Sequence, residues 1–192
     1  VDVVFDALDS SGNVDLCRSM DNEALKVKAK VTTVQNWNSS VRTDFAASPV
    51  CRNSLYSTGN DRNYSDQRYP AVKAFRTAMH RYLPNRDGKL SMWELEGWAA
   101  AQWLTDAMTS CGAQLTRGCV ERYMNRAQPY DGHGLLTPRS FVVSRHPGRP
   151  SRNCLNVARW QDSADGGRGG WVTQVPNMDT NCFVVPNVPY RP

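Results

Sequence analysis

Asp9-Ser10-Ser11 and Thr33, Gln35 and Trp37 hold most of the side-chain chemistry that this sequence groups at short spacing. A carboxylate, hydroxyls, an amide and an indole each supply a directed hydrogen bond, and together they suit a small polar ligand. The same residues have a second reading, in which Ser10 and Ser11 cap a helix and Asp9 ends a strand. Residue types alone leave both open. Gly166-Gly167-Arg168-Gly169-Gly170 has the glycine content of a phosphate cradle, but no Lys-Ser/Thr or helix follows, so it reads as a hairpin loop. Asp162 and Asp165 flank that turn. Residues 83–94 match a calcium loop at Asn85, Asp87, Gly88 and Glu94, yet Leu83 stands at the first ligand position. Ser91-Met92-Trp93-Glu94 is better explained as a capping box. His80, His133 and His146 are scattered, and no Gly-x-Ser-x-Gly elbow or nucleophile–base pair is present. The expectation is a protein that is no enzyme and takes no cofactor or metal.

The elements that must position the cluster follow from periodicity. Val1-Asp2-Val3-Val4-Phe5 has the composition of a strand covered on both faces, read over residues 2–8. A strand at the first residue needs earlier chain to pair with, so the expectation is the distal portion of a longer protein, or a product of processing. A helix with Val14, Cys17 and Met20 on one face comes next, then a strand over 26–34. These make one βαβ unit with parallel strands. In open α/β sheets ligands collect beyond the carboxyl ends of the strands, here at 9–11 and 33–37. A further short strand is read at 54–58.

From about Tyr64 the pattern turns helical. Pro70 opens a helix with Val72, Phe75, Met79 and Tyr82 on one face. The capping box starts a second helix running to about Met108, and Thr116 caps a third with Val120, Tyr123 and Met124 inward. A turn at 132–134 precedes an extended stretch over 135–143, and residues 144–153 are a Pro/Gly/Arg linker. Strands are read at 154–162 and 170–175, followed by a proline-rich tail from Pro176 pinned by Cys182. The order predicts an α/β segment over 1–60, a helical segment over 61–151, and return strands with a tail over 152–192.

Composition narrows the classes. The 192 residues are 40% hydrophobic with six Trp, a globular profile. The net charge of +5 lies in residues 61–150, where 13 Lys and Arg face 8 Asp and Glu. Those cations are mostly isolated arginines on a solvated face, without the dense stripe a nucleic-acid partner needs. No stretch is apolar for long enough to span a membrane. Cys17, Cys51, Cys111, Cys119, Cys154 and Cys182 are even in number, with no Cys-x-x-Cys, which favours disulfides and an oxidising compartment over zinc. Sequence neighbours are the expected pairs: Cys17–Cys51, Cys111–Cys119 and Cys154–Cys182.

Several segments carry a resemblance: Val1-Asp2-Val3-Val4-Phe5-Asp6-Ala7-Leu8-Asp9, the strand at 28–34, Tyr69-Pro70-Ala71-Val72-Lys73-Ala74-Phe75, Glu96-Gly97-Trp98-Ala99-Ala100-Ala101-Gln102, Tyr130-Asp131-Gly132-His133-Gly134-Leu135-Leu136-Thr137-Pro138 and Asn156-Val157-Ala158-Arg159-Trp160. In order and spacing the chain resembles the second half of a type I periplasmic solute-binding protein, of the branched-chain amino-acid and amide class that serves ABC importers. The resemblance implies an α/β fold of two hinged lobes, with parallel sheets flanked by helices and the N-terminal half lacking. Residues 1–60 and about 152–175 would belong to the second lobe and 65–148 to the first. It places ligand contacts at Asp9 and at Val34–Gln35. Amino-acid-binding members have an acidic residue near the second position; this chain has Gln35 there, leaving Asp9 to supply charge. The implied partners are a small polar solute, an ABC permease at the membrane and the missing N-terminal half, and the implied location is extracellular, secreted or tethered. The alternative expectation is a disulfide-stapled structural or interaction module that self-assembles without a ligand.

Overall fold

The computed structural model describes residues 1–126, 128–138 and 151–185. Among the described residues seven strands are formed: β1 Val3–Phe5, β2 Ala29–Thr32, β3 Leu55–Gly59, β4 Ser151–Cys154, β5 Asn156–Gln161, β6 Gly170–Thr173 and β7 Cys182–Val185. Between them lie α1 Ser10–Asn22, the short α2 Val41–Asp44 and α3 Pro49–Arg52, then α4 Pro70–Tyr82, α5 Met92–Cys111 and α6 Arg117–Met124. Five strands make one sheet in the order β1-β2-β3-β5-β6, and β4 pairs with β7 in a separate ribbon. The α/β class expected from the sequence is what the chain adopts. β1, β2 and β3 run parallel, linked by α1 and by the α2–α3 segment. β5 and β6 run antiparallel, joined by a short connection over residues 162–169 that contains a helical turn at Ala164–Gly167.

One face of the sheet is buried. Lys30, Thr32, Leu55, Ser57, Ala158, Trp160, Trp171 and Thr173 alternate inward along their strands. Cys17 and Met20 of α1, with Trp37, Val41 and Phe45, join this face in one core. The same core continues through Val72, Phe75 and Met79 of α4 and Met92, Leu95 and Ala99 of α5. Pro at the first turn starts α4. The Ser91–Glu94 capping box starts α5, and Thr116, accepting from the Cys119 amide at 3.2 Å, starts α6. The opposite face of the sheet, including Val31, Tyr56, Val157 and Val172, is only half-buried.

Three expectations from the sequence need correction. β1 is an edge strand, and Val1, Val3 and Phe5 are exposed, with Phe5 at 77%. Apolar composition reports strand propensity; it does not tell an edge from a centre. Tyr82 is exposed because α4 outruns the core after Met79 and ends in a surface turn over Pro84–Arg86. The strand read at 154–162 is two, since Leu155 separates β4 from β5. Of the linker read at 144–153, residues 144–150 lie outside the described residues, while 151–153 belong to β4. Residues 139–143 of the extended stretch, His146 and the tail beyond 185 also lie outside them.

Disulfides join Cys17 of α1 to Cys51 of α3, Cys111 to Cys119, and Cys154 to Cys182. Asp162, at the end of β5, is a further tie. Its carboxylate receives Arg52 Nε at 2.9 Å and Nη2 at 2.5 Å, Asn53 Nδ2 at 2.7 Å and Trp160 Nε1 at 2.8 Å. Burial alone would raise this carboxyl. The hydrogen bonds from Arg52, Trp160 and Asn53, with the charge of Arg52, outweigh burial and bring it from 3.8 to about 2. A depressed carboxyl adds stability that is complete above its unfolded value and is lost as pH falls through about 2. Asp162→Asn is expected to lower stability at pH 7 by about 1–2 kcal/mol, and to flatten the acid limb between pH 4 and 2, both read by urea unfolding across that range.

Candidate functional site

β1 and β2 lie side by side in parallel register, Phe5 opposite Val31, so their carboxyl ends open on the same edge. From Phe5 the chain passes through Asp6, whose amide donates to the Val31 carbonyl at 3.1 Å, and reaches Asp9. Asp9 itself caps α1: its carboxylate accepts from the Gly12 amide at 2.7 Å and the Ser11 hydroxyl at 3.0 Å. Those two donors hold its carboxyl below the ordinary value. The cap is thus Asp9 and not the serines. The Ser10 hydroxyl donates to the Gln35 carbonyl at 3.2 Å and so bridges the two strand ends. Gln35 stands exposed on a 3-10 turn, Val34–Asn36, that begins immediately after Thr33. At Gly59 the end of β3 approaches this turn closely; a Cβ there would lie 2.9 Å from Val34 Cγ1.

Five of the six residues singled out by sequence therefore share one rim: Asp9, Ser10, Ser11, Thr33 and Gln35. Trp37 does not. It is fully buried, its ring centroid is 6.0 Å from that of Trp171, and its indole N–H donates to Asn63 Oδ1 at 3.3 Å. An indole after a polar turn suits either a ligand wall or a core, and here the 3-10 turn directs it inward.

Beneath the rim lies a buried polar network that sequence reasoning missed. Lys30 is completely buried, with its ammonium 2.6 Å from Asp6 Oδ2 and also donating to Asn13 Oδ1. The Asn13 amide in turn donates to the carbonyls of Leu8 and Asp9 at 2.9 and 3.0 Å and to Thr32 Oγ1 at 3.3 Å. Asn36 Nδ2 reaches the same Thr32 oxygen at 2.8 Å. Burial drives the Lys30 pKa down, while the hydrogen bond and charge of Asp6 push it back up. Thr33 Oγ1 and Asn36 Oδ1 are buried with no hydrogen-bond partner among the described residues. The missed signal was the alternation Lys26-Val27-Lys28-Ala29-Lys30. A lysine repeating on one face of a strand must either exit the sheet edge, as Lys28 does towards Asp2, or find an internal carboxylate.

The would-be calcium ligands face basic side chains of the same chain. Asp87 lies 2.9 Å from His80 Nδ1 and 3.8 Å from Arg76, and Glu94 meets Arg86 and the Ser91 cap. A separate cleft of about 890 Å³ opens between residues 63–68, α4 and β6, floored by Trp160, Trp171 and Leu90. No rim residue lines it.

A family model described as periplasmic binding protein matches residues 1–167. A fatty acid ABC transporter substrate-binding protein from Thermomonospora curvata superposes with a TM-score of 0.69 at 17% identity, covering 95% of this chain and 43% of that one. A substrate-binding periplasmic protein from Ralstonia solanacearum superposes with a TM-score of 0.62 at 14% identity, covering 91% of this chain and 46% of that one. The chain thus spans less than half the length of either, and at such identities the likeness is one of fold. No curated protein matches the sequence.

The Lys30 network generates its own test. Lys30→Met strands the Asp6 carboxylate in a dry site and is expected to cost about 3–5 kcal/mol. Lys30→Met combined with Asp6→Leu is expected to recover most of that loss, both measured by urea unfolding at pH 7.

Proposed function

The chain belongs to the periplasmic binding protein family, and on that premise we propose that it is part of an extracellular solute-binding protein that delivers a small polar solute, such as an amino acid or amide, to an ABC permease. The observation that carries this reading is the rim at the carboxyl ends of β1 and β2, where Ser10 ties the Asp9 cap to the Gln35 turn. Such strand ends are where open α/β sheets take ligands. Asp9 offers a carboxylate to a ligand ammonium, and Gln35 and Ser11 offer exposed amide and hydroxyl groups. The unmet buried polar atoms of Thr33 and Asn36 lie in the same turn, and a ligand that reorders the turn would satisfy them.

The neighbour from Thermomonospora curvata is a fatty acid ABC transporter substrate-binding protein; the charge and amide of this rim suit a polar solute better than an acyl chain. Three disulfides fit an oxidising location outside the cytosol. In the same reading, residues 1–60 and 152–192 contribute to one lobe and 61–151 to the other. An N-terminal half outside this chain supplies the opposite wall of the solute cleft and covers the exposed edge at Val3 and Phe5. Closure around the solute, and not bond-making, is the activity: differential contacts in the closed state drive the hinge.

Calorimetric titration of the full-length protein against a panel of amino acids and their amides tests this. Asp9→Ser keeps a capping side chain while removing the charge, and Gln35→Ala alters an exposed side chain. Each is expected to weaken the best ligand by about ten-fold, equivalent to about 1.4 kcal/mol, without lowering the melting temperature. Binding by no member of the panel, or undiminished affinity in both variants, rules the reading out.

A further inference from the structure

The cleft between residues 63–68, α4 and β6 is lined by two groups, Arg76 and Tyr64, that make no side-chain hydrogen bond among the described residues. Arg68 is forked onto Asp66, at 2.7 and 2.5 Å, and Arg168 onto Asp165, at 2.9 and 2.8 Å. Arg76, which lines the same cleft, makes no hydrogen bond among the described residues. Its nearest carboxylate, Asp87, stands at 3.8 Å and has its other oxygen 2.9 Å from His80. Tyr64 is buried to 4% exposure, lines the cleft, and its hydroxyl also makes no hydrogen bond among the described residues. A guanidinium whose one carboxylate contact is at 3.8 Å and a phenol O–H line the same cleft and form an acceptor-seeking pair.

We propose that this cleft is a second ligand site, distinct from the rim, that takes a small carboxylate with a flat apolar body. The carboxylate oxygens receive Arg76 and the Tyr64 hydroxyl, and the apolar body lies on the floor of Trp160, Trp171 and Leu90. Several observations set this ligand class. Arg68 and Arg168 are each forked onto an aspartate, whereas Arg76 has only a 3.8 Å contact with Asp87, so Arg76 is the guanidinium with donors left for a single anionic group. Its volume of about 890 Å³ falls within the roughly 300–1,000 Å³ of small-molecule sites. Trp160 and Trp171, edge to face at 5.8 Å and almost fully buried, back the floor with aromatic rings. Burial raises the Tyr64 pKa and the charge of Arg76 only partly offsets it, so the phenol stays protonated and able to donate at neutral pH.

Phenylacetate is the probe and phenylacetamide its uncharged match, titrated into the protein by calorimetry and by tryptophan fluorescence. Saturable binding of phenylacetate is expected, with phenylacetamide at least about ten-fold weaker. Arg76→Gln should weaken phenylacetate by about ten-fold or more, and Tyr64→Phe, which keeps the buried ring, by about five-fold. Gln35→Ala should leave it unchanged, which separates this site from the rim. Circular dichroism of each variant checks that the fold persists, and Tyr64→Phe decides the matter if Arg76→Gln unfolds. The proposal is overturned if phenylacetate does not saturate, if the amide binds as well, or if Tyr64→Phe retains full affinity.

Discussion

A single buried cation organises the amino-terminal half of the sheet. Lys30 points to the covered face of β2, where an ammonium without a partner would be too costly to keep charged. Asp6 satisfies it from the end of β1, and Asn13 from the second turn of α1. Because Asn13 also holds the carbonyls of Leu8 and Asp9, the geometry of the cap and of the Ser10 bridge is set from below. The exposed rim is thus the visible end of a buried polar column. Apolar residues in its place would give similar or greater stability, but would not fix where the strand ends stand relative to each other.

A second set of polar ties holds the later part of the chain to the sheet. Asn63 receives the Trp37 indole and donates to the Trp171 carbonyl at 2.8 Å, so the turn that bears Gln35 is joined to the segment that lines the cleft. Asp162 performs a similar role just beyond the carboxyl end of β5, gathering Arg52, Asn53 and Trp160. Each carboxylate or amide here has several partners, and partial loss leaves the others buried and unmet. Disulfides add constraint at three points, within α1–α3, α5–α6 and the β4–β7 ribbon.

Much of this was legible in the sequence where the cause is local. Pro70, the Ser91–Glu94 box and Thr116 mark helix starts because capping is decided within four residues. The first βαβ unit and the juxtaposition of residues 9–11 with 33–35 followed from periodicity and the parallel crossover. What escaped depends on partners distant in sequence. Phe5 reads as core until the sheet order makes β1 an edge. Trp37 reads as ligand wall until Trp171 and Asn63 enclose it. Arg76 and Tyr64 carry no local pattern, and only the return of β6 against them makes a cleft.

The strand order has a consequence for biosynthesis. β3 pairs with β5 across the whole helical segment, Tyr56 opposite Arg159. Until residue 161 has left the ribosome, the central strand of the sheet has nothing on one side, and Leu55 and Ser57 have no Ala158 layer to close over them. Such a long-range pairing makes assembly slow relative to helix formation. The nascent chain therefore carries an open β3 edge from the time residue 59 emerges until β5 follows about a hundred residues later, and the sheet closes only then.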